Sequence, residues 1–215
     1  MPDVSGLLRE QFGDIDIYLF DQLLKGRFDA VTRVLDAGCG GGRNVRFLLG
    51  HGFDVFGVDQ DAAAVAAVRS LAARLAPHLP ASQFEVAPVE RLPWPDECMD
   101  AVLSSAVLHF ARDEAQFDAM LQDMWRVLRP GGLFFARLAS TIGLEVPVEW
   151  LNGRRARLPD GSERFVVDEA MLLRLTDALG GQLLDPLKTT NVQNQRAMTT
   201  WCLRKPHAHS PPRHA

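Results

Sequence analysis

Residues 33–44 read RVLDAGCGGGRN, and this stretch decides the fold. Its apolar beginning, Val34-Leu35, is typical of a buried strand, and the residues that follow the loop, 43–50, predict a helix. The glycines between them let a ligand approach the backbone at the carboxyl end of a strand, where open α/β sheets bind their ligands. The unit therefore predicts a ligand site, although a tight turn alone would also use glycines.

The same order of strand and helix continues along the chain. Apolar runs bounded by turn residues predict the strands, and periodic segments that begin at an aspartate predict the helices. Alternation of this kind predicts a parallel sheet covered by helices on both faces. The predicted strands are 33–36, 53–58, 83–87, 100–105 and 133–138, and the predicted helices are 43–50, 61–75 and 113–128.

Three segments depart from this alternation. Apolar residues at helical spacing predict a helix over 14–28, in front of the main fold. Residues 140–167 are mixed in polarity and contain the turn signal LPDG at 158–161, which predicts an insertion or hairpin. Residues 206–215 have no apolar pattern and predict a disordered tail.

The remaining predictions are a helix over 168–179 and a closing antiparallel strand pair over 182–189 and 196–203.

The composition limits the class of protein. The 215 residues are 47% hydrophobic and 23% charged, which is typical of a single globular domain, predicted over residues 1–205. A net charge of -4 argues against a nucleic-acid partner. The three cysteines lack the spacing of a metal site or a disulfide framework, and no run has the length of a membrane span. We therefore expect a cytoplasmic protein without a metal or membrane contact, either a monomer or a homodimer.

The glycine loop does not match the dinucleotide fingerprint GxGxxG, because Arg43 or Val45 stands where its last glycine would be. The loop instead carries an acidic residue, Asp36, placed to meet a cationic ammonium group. A second carboxylate, Asp59, ends the next predicted strand, where it can accept both hydroxyls of a ribose. The alternative role of Asp59 as a helix cap fits Asp61 better. A nucleoside ligand with an amino group is the prediction.

Several motifs in this order resemble the class I S-adenosylmethionine-dependent methyltransferases. Asp36, Gly38, Gly40 and Gly42 match the acidic-x-Gly-x-Gly-x-Gly motif of that family, and Val58-Asp59 matches its ribose-binding acid. The segments LPWPD at 92–96 and LRPGG at 128–132 are similar to family segments before the fourth and fifth strands. The Gly-Arg-Asn that ends the loop is also similar to the tellurite-resistance type of methyltransferase.

The resemblance implies a fold, a cofactor and a set of contacts. The fold is α/β, a Rossmann-like sandwich with a seven-stranded, mostly parallel sheet, a C-terminal antiparallel strand pair and helices on both faces. The cofactor is S-adenosyl-L-methionine, with the helix over 14–28 as a lid. The cofactor-binding residues that it implies are Tyr18, Asp36, Ala37, Gly38, Gly40, Gly42, Asp59, Gln60, Pro88, Val89, Glu90 and Ser104.

The chain departs from the family at Pro88, which stands where many members have an aspartate that binds the adenine amino group. The backbone N–H of Val89 is the remaining candidate for contact with the adenine ring. Glu90 is either a substitute carboxylate or an exposed surface residue.

His109 lies just beyond the fourth predicted strand and is the candidate catalytic residue. It acts either as a general base or as a residue that lines the pocket without moving a proton. Arg154, Arg155 and Arg157, in the predicted insertion, either bind an anionic acceptor or form a solvated surface.

These predictions favour an enzyme that transfers a methyl group from S-adenosylmethionine to a small-molecule acceptor. A tRNA or protein acceptor is the first alternative. A nonenzymatic module that binds S-adenosylmethionine or S-adenosylhomocysteine is the second, and Pro88 is its main motivation. A nicotinamide-dependent oxidoreductase is disfavoured by the failed fingerprint.

Overall fold

A computed structural model describes residues 3–207, so residues 208–215 of the predicted tail lie outside the described residues. The helices are α1 (Val4–Phe12), α2 (Ile17–Leu24), α3 (Arg46–Gly50), α4 (Ala62–Leu75), α5 (Glu114–Val127) and α6 (Glu169–Ala178). The strands are β1 (Arg33–Ala37), β2 (Asp54–Asp59), β3 (Phe84–Val86), β4 (Met99–Ser105), β5 (Leu128–Ser140), β6 (Glu149–Asn152), β7 (Arg155–Arg157), β8 (Glu163–Phe165), β9 (Gln182–Leu183), β10 (Lys188–Val192) and β11 (Arg196–Arg204).

The main sheet confirms the predicted fold class. Its strand order is β10-β11-β5-β4-β1-β2-β3, and β9 pairs with β11 beside this path. The five strands β1 to β5 run parallel, while β11 runs antiparallel to β5, β9 and β10. The order reverses on either side of β1, so the carboxyl ends of β1, β2 and β4 meet at one edge, where ligand sites form in such sheets.

Each face of the sheet buries its own apolar layer. Val34 belongs to the layer under α3 and α4, which includes Val68 of α4. Its neighbour Leu35 belongs to the layer under α5 and α6, which includes Phe117 of α5. Successive residues of a strand point to opposite faces, so a strand buried on both sides must be apolar throughout. The continuous apolar runs of the sequence therefore come from a sheet covered on both faces.

Five of the helices, α1, α2, α4, α5 and α6, begin at an aspartate whose side chain accepts a backbone N–H. Asp61 accepts a hydrogen bond from the N–H of Ala63 at the start of α4, as the sequence predicts. Asp113 and Asp168 act in the same way at α5 and α6. These caps satisfy backbone donors that lack an intrahelical partner.

The N-terminal region differs from its prediction. The helix predicted over 14–28 is shorter, because Asp16 caps α2 by accepting the N–H of Tyr18, and because the chain leaves the helix at Gly26 with φ +68°. The preceding segment, for which no helix or strand is predicted, forms α1. No residue of α1 is buried, and its leucines, Leu7 and Leu8, are exposed to solvent. Amphipathic spacing alone does not reveal this short capped helix.

The segment after β5 is an insertion, as predicted, and it has one strand more than a hairpin. The strands β6, β7 and β8 form a separate antiparallel sheet, and the turn signal 158–161 connects β7 to β8. The insertion leaves the main sheet after Ser140 and returns at Val167, and these two residues bridge each other. The ring of Phe165 stacks on Phe117 of α5 at a centroid distance of 4.6 Å, which fixes the insertion to the core.

The closing strand pair also differs in detail. The strand predicted over 182–189 is divided into β9 and β10, with Pro186 between them. Proline lacks the N–H that a ladder requires, so the strand cannot continue through it. No helix among residues 3–207 combines the length and apolarity of a membrane span.

Asp100, at the start of β4, holds the beginning of β1 in place. Its Oδ2 accepts the N–H groups of Thr32 at 2.7 Å and Arg33 at 2.9 Å, and Arg129 lies 3.0 Å from its Oδ1. The residue is only 7% exposed, so these contacts operate with limited competition from water.

We expect Asp100→Ala to lower the free energy of unfolding by about 1–3 kcal/mol, because it removes a charged acceptor from two N–H groups. Asp177→Ala, an exposed aspartate on α6, is the matched control and should change stability by less than about 0.5 kcal/mol. Urea unfolding of the three proteins measures the difference. Equal midpoints for wild type and Asp100→Ala would contradict this role.

Candidate functional site

The glycine loop is held against β2 by its own backbone. The N–H groups of Gly38 and Cys39 both donate to the carbonyl of Val58, at 2.9 and 2.8 Å. The N–H of Gly40 donates to Oδ2 of Asp59 at 2.9 Å. These three hydrogen bonds hold the loop after β1 against the carboxyl end of β2 without the help of a ligand.

Gly38 is required by space as well as by conformation. Its φ is +84°, which side chains rarely adopt, and a Cβ placed there would lie 2.4 Å from a methyl group of Val107. Val107 reaches this position because Ala106, at φ +63°, turns the chain sharply after β4. The backbone of β1 and the segment after β4 thus approach each other closely at the sheet edge.

Asp36 is a buried carboxylate without a protein partner. It is 1% exposed, and neither of its oxygens has a hydrogen-bond partner among the described residues. Burial raises the pKa of this carboxyl to about 7, Arg43 acts against the rise, and Asp59 adds to it. An unsatisfied buried acceptor costs stability, so such groups mark positions that serve a ligand.

One cavity collects half of the predicted cofactor contacts. Its volume is about 470 Å³, and it opens along the carboxyl edge of the sheet. Gly38, Asp59, Gln60, Pro88, Val89 and Glu90 are predicted residues that line it. Further lining residues come from the segment after β4 and from α5, namely Ala106, Val107, Phe110, Arg112, Gln116 and Met120.

The departure at Pro88 leaves a recognisable surface. Pro88 is exposed at the cavity, while Val89 is buried in its wall. Glu90 is half-buried, and its Oε1 accepts from the side-chain amide of Gln116 at 2.9 Å. Of the two interpretations of Glu90, the structure favours a residue that faces the cavity over a free surface glutamate.

A second cavity lies on the other side of the glycine loop and shares Gly38 with the first. Its volume is about 640 Å³. Gly40 and Gly42, both predicted cofactor contacts, line this cavity together with Arg43 and Ser105. The loop therefore stands between two openings. Ala37, the remaining loop prediction, is fully buried in β1 and offers no side chain to either opening.

The sequence analysis missed a buried polar cluster at this edge. Asp16 is 4% exposed, and its Oδ2 accepts from Ser105 at 2.9 Å and from Arg137 at 3.3 Å. Arg43 donates to the hydroxyl of Ser105 at 3.1 Å. The cluster fastens the start of α2 to β4, β5 and the glycine loop. Because its members come from four distant segments, only the capping position of Asp16 carried a sequence signal.

Ser104 does not line either cavity. It is fully buried inside the sheet, and the next residue, Ser105, occupies the second cavity instead. Successive side chains of a strand point to opposite faces, so only one of these two neighbouring serines reaches a cavity.

His109 is built into the core as a neutral ring. It is 5% exposed, and its Nδ1 accepts the N–H of Ala139 at 3.3 Å, so the ring proton sits on Nε2. Burial lowers the pKa of His109 to about 4, with Arg164 and Arg137 adding to the effect. The ring has no free lone pair for a general base. Of the two predicted roles, this geometry favours a residue that moves no proton over a general base.

Tyr18 lies outside the cavity that contains Asp59. It faces a third cavity of about 290 Å³ between α2 and the strands β10 and β11, and its hydroxyl bonds to Thr190. The guanidinium of Arg137 lies 5.0 Å from the ring centre. The short α2 turns this side chain toward the antiparallel strands, so Tyr18 and Asp59 line different cavities.

Comparison with known proteins agrees with this geometry. Residues 35–136 match the model of a family described as a methyltransferase domain. A probable S-adenosylmethionine-dependent methyltransferase of Mycolicibacterium smegmatis is 31% identical over 151 residues, which are 68% of this chain and 54% of that protein. This chain carries a class I S-adenosylmethionine-dependent methyltransferase domain.

Two further likenesses place the methyltransferase domain among its relatives. A malonyl-[acyl-carrier protein] O-methyltransferase of Enterobacter lignolyticus is 32% identical over 73% of this chain and 57% of that protein. The structure of the 1,6-didemethyltoxoflavin-N1-methyltransferase of Burkholderia thailandensis has a TM-score of 0.67 and 21% identity, over 94% of this chain and 87% of that one. The matches span about half the length of the curated relatives.

We expect Gly38→Ala to destabilise the methyltransferase domain by about 1–3 kcal/mol, because the new methyl group meets Val107 at a φ that alanine avoids. Gly41→Ala is the matched control, since a Cβ there meets no atom within 4 Å. Thermal unfolding of both variants measures the contrast. A similar loss at both positions would show that the close approach at Gly38 is not what constrains the loop.

Proposed function

We propose that this protein transfers the methyl group of S-adenosylmethionine to a small-molecule acceptor. The observation that supports it most is Asp36, a buried carboxylate with both oxygens unpaired at the end of β1. A ligand that brings an ammonium group to this point would satisfy a charge that the fold alone leaves without a partner. The amino group of S-adenosylmethionine has that chemistry.

The other residues of the site fit the remaining parts of the cofactor. Asp59 already accepts two backbone N–H groups, which hold its carboxylate in place, and it has lone pairs left for ribose hydroxyls. Val89 and Pro88 offer an apolar wall for a base. When bound, S-adenosylmethionine supplies an electrophilic methyl group.

The protein's contribution to methyl transfer is positioning. Gly38 allows the cofactor to approach the backbone, and Val107 and Phe110 line the same cavity with apolar surface that excludes water. Methyl transfer needs a nucleophile held in line near the methyl carbon, and such alignment accounts for much of the barrier reduction. Because His109 is neutral and its Nδ1 is engaged, this mechanism uses no proton transfer to that ring.

A small acceptor fits the shape of the site better than a macromolecule. The cavity beside Asp59 is a bounded pocket, and the net charge of -4 disfavours nucleic acid. The Burkholderia enzyme is named for a small heterocyclic acceptor, and the Enterobacter relative for a malonyl group on a carrier protein. The second of these names keeps a carrier-linked acceptor as the alternative.

S-adenosylhomocysteine, the demethylated product, should stabilise the folded protein. At 100 times its dissociation constant a ligand contributes about 2.7 kcal/mol, which for a protein of this size is a shift in Tm of about 5 to 10 °C. Asp59→Ala should reduce the shift, because it removes the acceptor for the ribose. Asp61→Ala, a neighbouring helix cap, should lower the Tm yet keep the shift.

This thermal measurement also separates the candidate functions. NAD at the same concentration is the negative control for the oxidoreductase hypothesis. No shift with S-adenosylhomocysteine in folded protein would contradict the proposal. A normal shift with no methyl transfer to any acceptor would favour the nonenzymatic binding module.

The ligand-free protein should lose stability as pH rises from about 4 to about 7, because of Asp36. Its carboxyl titrates near 3.8 when unfolded and at about 7 when folded, so the folded state binds more protons in this range. Asp36→Asn should flatten this part of the profile and raise stability at pH 8. Urea unfolding across this range measures it.

The same variant tests the ammonium contact. Asp36→Asn should weaken binding of S-adenosylhomocysteine while leaving the ligand-free protein at least as stable as wild type at pH 8. Parallel pH profiles for the two proteins would mean that Asp36 is not held protonated by burial. Unchanged affinity would remove it from the binding site.

A further inference from the structure

We propose that the acceptor is a small anion with an apolar body, held at the cavity mouth by Arg164 and Arg112 on either side of Phe110. The inference rests on the proposed function and specifies its acceptor. The anionic group is a carboxylate or a phosphate, since a guanidinium pairs with both through parallel hydrogen bonds.

Phe110 supplies the apolar surface. It ends the 3₁₀ turn Leu108–Phe110 that follows β4, and it lines the cavity that also contains Gly38 and Asp59. Its side chain is 58% exposed, whereas both neighbours, His109 and Ala111, are buried. A large aromatic ring left open at a cavity is a natural contact for an apolar ligand.

Arg164 supplies a charge that the protein leaves without a carboxylate. It lies in β8 of the insertion, and its guanidinium carbon is 4.9 Å from the centre of the Phe110 ring. Its one hydrogen bond in the described chain goes to the backbone carbonyl of Glu163. Within residues 3–207, no carboxylate oxygen lies within 4.0 Å of it. Stacking on the ring fixes the side chain while leaving its donors available.

The three arginines predicted as anion-binding candidates are used within the protein. Arg154 pairs with Asp168 at 2.9 Å, and Arg155 with Glu163 at 3.6 Å. Arg157 lies between Glu149 and Glu163, at 2.9 and 2.8 Å. These three arginines hold the insertion together. Arg164, the fourth arginine of the insertion, is left available to meet a ligand.

Arg112 brings a second guanidinium to the same mouth. It lines the cavity directly, and it pairs with its own neighbour Asp113 at 3.4 Å, but both side chains are exposed, so water weakens that pair. The facing acid, Glu90, is engaged with Gln116 of α5. The charge of Arg164 also acts on the buried ring of His109, whose pKa it helps to lower.

The test uses the full chain saturated with S-adenosylhomocysteine and three probes of similar shape. Phenylacetate and phenyl phosphate carry the anion, and phenylacetamide is the neutral control. NMR shifts of the backbone and arginine side chains locate each probe. At least one anion should bind about tenfold more tightly than the amide, equivalent to about 1.4 kcal/mol, with shifts at Phe110, Arg112 and Arg164. The stronger of the two anions distinguishes a carboxylate from a phosphate acceptor.

Three variants assign the preference. Arg164→Gln should reduce the ratio of anion to amide affinity to near unity, and Arg164→Lys, which keeps the charge, should retain part of it. Arg157→Gln is the matched control in the same insertion and should leave the ratio unchanged. Thermal unfolding checks that each variant is folded.

Every outcome bears on the inference. Four results would each overturn it. The anions and the amide bind equally, or none of the three probes shows saturable binding. The NMR shifts lie away from Phe110, or Arg164→Gln leaves the ratio of anion to amide affinity unchanged. Failure of the protein to bind S-adenosylhomocysteine would instead overturn the proposed function. The two failures are therefore separate.

Discussion

The organisation of this protein depends on a charge placed where the fold cannot satisfy it. Asp36 ends the central strand β1, with apolar layers on both sides and no hydrogen-bond donor of the described chain beside it. Such a group opposes folding, and the two apolar layers around the sheet must offset that cost. The proposed function has a ligand complete this charge. Glycines keep side chains away from the same edge, and Asp59 holds the loop through the N–H of Gly40.

The second constraint is the attachment of the N-terminal helix. Asp16 performs three tasks with one carboxylate: it caps α2, it accepts from Ser105 at the end of β4, and it pairs with Arg137 of β5. Each contact comes from a different element, so the position of α2 is tied to the same strand ends that form the ligand site. Arg43 joins this cluster from the glycine loop. Binding at the loop and the position of α2 are thus linked through a few buried polar atoms rather than through the apolar core.

Much of this architecture is visible in the sequence, and the parts that are not share a physical cause. The glycine loop, the parallel sheet implied by alternation, and the caps Asp61, Asp113 and Asp168 all depend on neighbouring residues, so local patterns predict them. The roles of Tyr18, Ser104 and His109 depend on which way a side chain points. One residue along β4 separates a buried serine from one at the cavity, and the direction of Tyr18 follows from where a short helix ends. The Asp16 cluster unites segments far apart in the chain, which no single stretch reveals.

The insertion is connected to the main sheet at Ser140 and Val167, two residues that lie side by side. The chain departs from the main sheet and rejoins it at adjacent positions, so the strands β6 to β8 form a loop closed at its base. Phe165, stacked on Phe117, joins the core below the main sheet, while Leu158 and Val166 are buried with Ala139 of β5. Evolution is therefore free to replace the interior of the excursion while leaving the glycine loop and its buried charge untouched. Exchange of residues 141–166 would therefore change the surface around Phe110 and Arg164 without altering β1, β2 or the glycine loop between them.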